Sequence, residues 1–376
     1  MKNTIVIAPD SFKGTMSAIE VCEIIRREFL NADSSLEVKC VPIADGGEGT
    51  VDALLFNGGE RVTVTAKDPF FNNIDSFFGI LPDGTAVIEM AATSGLPLVE
   101  ENKNPLLATT YGTGQLIKSA LDRGCKKILI GIGGSATNDG GIGCAATLGA
   151  RFLDKDGNSV QLCGGGMKDI EVIDLNGVDV RLKNAEIKVL CDVVSPLYGE
   201  NGAAYIFAPQ KGADPEMVKE LDGGLKHLAE VTAKTIGADN SLKEGAGAAG
   251  GLGFGLVSFL GAELVKGAPA VLKTMGFEEI ASKAQLVITG EGCMDSQSLL
   301  GKAPAQVAAL SGDTPVIAIV GMSRVNDLSG SKIQKIYPTD CGGRTFEQIK
   351  KECRKTLAAA AKTAADEWLA NKIINE

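Results

Sequence analysis

Short β-branched runs that end in a loop of glycine and carboxylate, and then give way to a helical period, constrain this chain most. Ile5 to Ala8 leads into Asp10-Ser11-Phe12-Lys13-Gly14 and a helix from about Ser17, where Ser17 and Glu20 fit a capping box and Ala18, Cys22, Ile25 and Phe29 form one stripe. Leu36 to Ile43 leads in the same way into Asp45-Gly46-Gly47-Glu48-Gly49 and a helix over Val51 to Phe56. A third unit spans Lys127 to Ala150, around Gly131-Ile132-Gly133-Gly134-Ser135-Ala136-Thr137-Asn138-Asp139-Gly140-Gly141. Beyond residue 283 the style returns: a strand over Gln285 to Thr289, the loop Gly290-Glu291-Gly292-Cys293-Met294-Asp295, a helix opened by Pro304, a strand over Pro315 to Val320 and a long final helix. Alternation of this kind builds parallel α/β sheets.

Between these ends the pattern changes. Arg61 to Thr65, Ile74 to Leu81 and Thr85 to Met90 read as consecutive strands, with more at Ile187 to Cys191 and Ala204 to Phe207, and a helix runs from Pro215 to Thr235. Strands without intervening helices imply a mixed sheet. The expectation is an α/β protein of two domains: a parallel α/β domain from residues 1–60 and 284–376, and an inserted mixed α/β domain from 61–283. A length of 376 residues accommodates about two domains.

Composition narrows the chemistry. The net charge of −10 argues against nucleic acid and anionic membrane as partners. No apolar run is long enough for a membrane span or a signal peptide, and nine cysteines without a CxxC pair suit reduced thiols, so a cytoplasmic protein is expected. His227 is the only histidine and sits in a helical stretch without a visible catalytic partner. Triads and multi-histidine metal sites are therefore out of reach, and a carboxylate is the natural proton acceptor.

Glycine exposes backbone N–H groups and suits loops that wrap phosphate, and carboxylates beside such loops suit Mg²⁺. Any one such loop would serve equally as a tight turn. No G-x-x-x-x-G-K-[ST] is present, since Gly301-Lys302 lacks both the leading glycine and the following hydroxyl residue. Gly245 to Gly250 spells G-x-G-x-x-G but follows a polar stretch, and Gly131 to Ala136 lacks the acidic strand end expected about 20 residues later. An NAD-dependent hydroxy-acid oxidoreductase is thus the alternative reading.

Taken together, the segments Ala8 to Gly14, Ala44 to Thr50, Gly131 to Gly141, Cys191-Asp192-Val193, Pro209 to Ala213, Gly245 to Gly253, Ile288 to Gly292 and Gly301 to Pro304 closely resemble the first class of bacterial glycerate kinases. The resemblance implies ATP- and Mg²⁺-dependent phosphoryl transfer to D-glycerate, commonly at the 2-hydroxyl, in organic acid catabolism. It also implies a flavodoxin-like domain built from both chain ends and carrying an insertion. Along these segments the candidate catalytic residues are Asp192, Asp45 and Lys13, and the candidate substrate ligands are Asp10, Ser11, Lys13 and Lys211. Gly133, Gly134, Ser135, Asn138, Gly290, Gly292 and Lys302 are candidates for the nucleotide, and Asp139, Glu291 and Asp295 for the metal. The six carboxylates are not separable into base and ligand at this level, and Asp139 fits a helix N-cap as well. The family pattern often has Arg where this chain has Cys293, and Asn where it has Ser195.

Overall fold

The computed structural model of the chain describes residues 3–375 apart from 297, 300, 326 and 341. It divides into two compact units, one made of residues 1–45 with 268–376 and the other of residues 46–267.

The first unit is a parallel sheet. Thr4–Pro9 pairs with Glu37–Cys40 on one side and Leu286–Gly290 on the other, followed outward by Val316–Ser323 and Ile333–Asp340. Setting aside the two-residue strand Cys293–Met294, the spatial order in chain sequence is 2-1-3-4-5, the flavodoxin-like arrangement. Thr4–Pro9 is buried along its whole length, as a central parallel strand covered on both faces must be. On one face Val6, Ala8, Val287, Ala318 and Val320 pack with Leu272, Phe277, Ala303 and Val307 of the helices that follow residue 267. Helix Ala18–Ala32 carries the expected capping box and packs against the final helix, Phe346–Asn375.

The second unit holds a six-stranded mixed sheet. Glu60–Lys67, Asn73–Ile80 and Ala86–Glu89 form an antiparallel meander, and Lys127–Gly131, Glu186–Leu190 and Glu263–Val265 continue it in parallel. Its core joins Phe78, Ile88, Ile130 and Val189 of the sheet to Leu116, Leu225, Leu252 and Phe254 of the helices.

The units meet along the chain at 45/46 and 267/268, not at the expected 60/61 and 283/284. Packing explains the shift. Val51 and Leu55 of helix Thr50–Leu55 press against Gly79 of the meander, while Leu272 and Phe277 enter the core of the first unit. One element changes type: the expected strand at Ala204 to Phe207 is the helix Ala203–Phe207. Ala203, Ala204 and Ala208 are buried while Tyr205 and Ile206 are exposed, a spacing of three to four that places one helical face inward.

Candidate active site

In open parallel sheets the ligand crevice lies beyond the strand C-termini where the order reverses. Here that point falls between Thr4–Pro9 and Leu286–Gly290, and the two loops there are Asp10 to Gly14 and Gly290 to Asp295. Asp10 N–H donates to Gly290 O at 2.8 Å, and Gly321 N–H and Met322 N–H bond Glu291 O and Gly292 O at 3.0 Å each. The second loop is thereby stitched to strands on both sides. At Gly290 a Cβ would stand 2.1 Å from Ile319 O, so only glycine fits there.

Asp10, Asp45, Glu291 and Asp295, with Lys13 and Lys302, belong to the first unit. Burial, and then the charge of Asp45, push Asp10 up to about 6, against the pull of the Ser11 N–H and Lys13. Lys13 Nζ bonds Asp45 Oδ2 at 2.7 Å, with side-chain exposures of 75% and 42%. Glu291 is buried, its acidity is weakened mainly by that burial, and its Oε1 has no hydrogen-bond partner. Asp295 Oδ1 accepts from Ser298 N–H and Oγ and from Lys302 Nζ at 3.4 Å, so it closes a turn.

The buried Glu291 Oε1, without a protein partner, is of the donor type that Mg²⁺ takes, since that ion uses one or two carboxylates and completes its shell with water and phosphate oxygens. Among the described residues no cluster of three or more His, Cys, Asp or Glu side chains is gathered as a ready-made metal cage.

The loop after Asp45 is held by backbone contact. Gly46 has φ +89°, and a Cβ there would meet Leu190 Cβ at 2.8 Å. Gly133 N–H donates to Gly46 O at 3.0 Å, and a Cβ on Gly131 would stand 2.4 Å from that same oxygen. Glu89, at the end of its strand, accepts from Val51 N–H at 2.6 Å and also takes the N–H of Gly49. It closes the N-terminus of helix Thr50–Leu55, whose own cap, Gly49, has no side chain. Burial holds the Glu89 carboxyl above its ordinary range. Sequence reasoning missed Glu89, although a lone carboxylate ending the apolar run Ala86 to Ile88 was a usable signal.

Residues 135–139 run buried through the second unit. Asp139 Oδ2 accepts from Thr110 N–H, Thr110 Oγ and Gly143 N–H, and Oδ1 from Gly141 N–H. These donors lie on the loop and on neighbouring backbone. Gly141, not Asp139, is the N-cap of helix Ile142–Thr147. Lys211 is 2% exposed and donates to Ser135 Oγ at 2.7 Å and Thr137 O at 2.6 Å. Burial pulls its ammonium down to about 7 despite the opposing charge of Asp139. Thr137 Oγ and both polar atoms of the Asn138 amide are buried without a partner. Gly133 and Gly134 lie at the surface edge of this loop. Asp192 is exposed just past Glu186–Leu190 and accepts from Gly267 N–H at 2.9 Å.

The structure therefore gathers Asp10, Ser11, Lys13, Asp45, Gly290, Glu291, Gly292, Asp295 and Lys302 in the first unit. Gly133, Gly134, Ser135, Asn138, Asp139, Asp192 and Lys211 belong to the second. Of the three expected metal ligands, Glu291 and Asp295 lie in the first unit and Asp139 in the second, and Glu291 Oε1 is buried without a hydrogen-bond partner. His227 Nε2 lies 2.7 Å from Ile170 O, a bond between helix and loop. The eight described cysteines form no disulfide with one another, and Cys341 lies outside the described residues. Among the described residues no helix is long and apolar enough to cross a membrane. Gly250, in the formal G-x-G-x-x-G, packs its backbone on Thr137 O and Asn138 Cα, so those glycines serve a loop-to-loop contact.

The model of the glycerate kinase family matches residues 5–369. A glycerate kinase of Haemophilus influenzae is 46% identical over 367 residues, covering 96% of this chain and 97% of that protein. A glycerate 2-kinase of Escherichia coli K12 is 49% identical over 323 residues, covering 84% of each. The crystal structure of a Salmonella typhimurium LT2 protein described as glycerate kinase 2 superposes with a TM-score of 0.89 at 40% identity, covering 99% of this chain and 100% of that one. Likeness to kinases at this level, along nearly the whole chain, displaces the oxidoreductase alternative. The chain is a kinase and belongs to the glycerate kinase family.

Proposed function

We propose that the protein transfers the γ-phosphoryl group of ATP to D-glycerate, giving 2-phosphoglycerate, in the cytoplasm and within organic acid catabolism. The observation that carries this reading is the family match over residues 5–369, which spans every glycine–carboxylate loop of both units. The 2-hydroxyl is favoured by the Escherichia coli relative, which is named for that position.

In the reaction the glycerate hydroxyl oxygen attacks the γ-phosphorus, the bond to the ADP oxygen breaks, and the hydroxyl proton passes to a carboxylate. Lys13 supplies a positive charge beside the reacting groups, for the glycerate carboxylate or a phosphate oxygen. Asp45 and Asp192 are the proposed catalytic carboxylates. Asp10, held to about 6, is poised to exchange a proton near neutrality and lies with Ser11 against the substrate. Gly133, Gly134, Ser135, Gly290 and Gly292 offer backbone N–H and hydroxyl donors to phosphate, with Lys302 as a further cation. Glu291 would hold Mg²⁺, whose charge would offset that of the phosphates. Asp139 is not proposed as a ligand, because both of its oxygens are taken by internal donors.

Phosphorus NMR of a reaction with Mg-ATP and D-glycerate tests the reading. The expected result is ADP and a single phosphomonoester resonance from 2-phosphoglycerate. Absence of ADP formation with D-glycerate would overturn it.

A further inference from the structure

Lys13 is carried by a tight turn. Thr15 N–H and Met16 N–H donate to Phe12 O at 2.8 and 3.0 Å, Thr15 Oγ1 donates to the same oxygen at 2.7 Å, and Phe12 N–H donates to Met16 O at 2.9 Å. Lys13 and Gly14 are the central residues, both exposed, and Gly14 has φ +78°, a region that favours glycine. Near its start the turn lies against Gly292, where an added Cβ would stand 3.3 Å from Phe12 Cα and 3.4 Å from Lys13 N. At its tip it meets the start of the final helix. A Cβ on Gly14 would stand 2.9 Å from Phe346 Cζ and 3.8 Å from both Cε atoms, so the ring occupies the direction in which a side chain at residue 14 would point. Phe346 opens helix Phe346–Asn375 and is 56% exposed, so its ring adds little to the core of the first unit. The same helix holds the start of helix Ala18–Ala32: Arg354 Nη2 bonds Glu20 Oε1 at 2.6 Å, while Glu20 Oε2 accepts from Ser17 N–H at 3.1 Å.

A lysine carries its charge on a flexible four-carbon stem, so the direction of the backbone beneath it decides where the ammonium can reach. The bond from Lys13 Nζ to Asp45 Oδ2 is exposed and worth little by itself, which leaves that direction to the turn. We propose that Phe346 is a positioning residue for Lys13: its ring buttresses Gly14 and so holds the Phe12–Thr15 turn in the orientation that presents the ammonium to the substrate. An aromatic ring suits the task, being flat and rigid and offering a large apolar face to a bare glycine backbone at low entropic cost. Glycine at position 14 is then required twice, by its φ and by the ring. The inference rests on the proposed role of Lys13 in the reaction, and adds to that site a residue from the other end of the chain.

The test uses the full-length protein and compares Phe346→Ala, Phe346→Leu, Arg354→Met, Lys13→Met and the double variant of Lys13→Met with Phe346→Ala. Each is measured by steady-state kinetics with D-glycerate and Mg-ATP, by Tm, and by limited digestion with a lysine-specific endoproteinase. Phe346→Ala should keep Tm within about 3 °C of wild type, because the ring is largely exposed. It should speed cleavage between Lys13 and Gly14 at least about tenfold, read by mass spectrometry as a fragment that starts at Gly14. Its kcat/KM should fall at least about tenfold, with most of the loss recovered in Phe346→Leu. Arg354→Met should leave both the cleavage and kcat/KM near wild type. In the Lys13→Met background Phe346→Ala should cost less than about twofold more, since a residue that acts through Lys13 has nothing left to position. Cleavage at the wild-type rate, equal acceleration by Arg354→Met, or an undiminished kinetic loss in the Lys13→Met background would each overturn the proposal. Should Phe346→Ala not fold, Phe346→Gln removes the ring and gives the same comparison. Wild-type kinetics in Lys13→Met would count against the role of Lys13 in the reaction, while the cleavage rate would still decide whether Phe346 holds the turn.

Discussion

Asp10 is a carboxyl group held at the expense of stability. Its carboxyl is raised from 3.8 to about 6, chiefly by burial and then by Asp45. Between these values the folded chain holds a proton that the unfolded chain releases, so this group's contribution to stability falls as pH rises from about 4 to about 6. Above about 6 the full penalty remains. Asp10→Asn should therefore stabilise the protein at pH 7.5 by about 1–3 kcal/mol in urea denaturation, with little gain at pH 3.5, while lowering kcat. A variant that is less stable at pH 7.5 would contradict this account. The Lys13–Asp45 pair behaves oppositely. It is exposed, so breaking it with Asp45→Asn should change stability by less than about 1 kcal/mol, and kcat should drop by at least about a hundredfold. The sequence displayed these charges because they sit in a few residues after a strand. It did not display that Asp10 is half-buried while Lys13 is exposed, since burial depends on strands some 280 residues apart in the chain.

Among elements, the loop Gly46 to Gly49, which leads into helix Thr50–Leu55, is fixed by backbone contact. Its backbone rests on the ends of Lys127–Gly131 and Glu186–Leu190, and Glu89 ties down its helix. Gly131→Ala would push a methyl group into Gly46 O, so it should lower both Tm and kcat. Gly84→Ala provides the control, because its φ of +82° is strained but nothing lies within 4 Å of the added carbon. It should cost only about 1 kcal/mol and leave kcat unchanged. Glu89→Ala should destabilise by about 1–3 kcal/mol through the orphaned N–H groups, with Glu89→Gln closer to wild type, as scanning calorimetry would show. The order of strands and helices was legible wherever hydrophobic period and turn residues agreed. Ala203–Phe207 was misread because five apolar residues are too few to distinguish a period of two from one of 3.6. Ile333–Asp340 went unread because an outer strand of mixed polarity, with Pro338 inside it, lacks the apolar run of its neighbours.

At the level of the whole molecule, each unit has its own core, and residues 46–267 form one uninterrupted stretch of chain. Expressed alone, that stretch should give native-like circular dichroism and a single cooperative urea transition. A fragment with no cooperative transition would show that its core is not self-sufficient. The two-unit organisation was legible as a change of rhythm in the sequence, but the boundaries were not, because helix Thr50–Leu55 belongs by rhythm to one unit and by packing to the other. The pairing of Thr4–Pro9 with Leu286–Gly290 has a consequence for synthesis. The first strand leaves the ribosome long before its central partner has been translated, so it waits without a sheet while the intervening stretch, complete in itself, closes up behind it. Birth order and folding order are then reversed for this protein. The N-terminal residues that carry Asp10 and Lys13 would be among the last to reach their final places, and the most exposed to chaperones and proteases until they do.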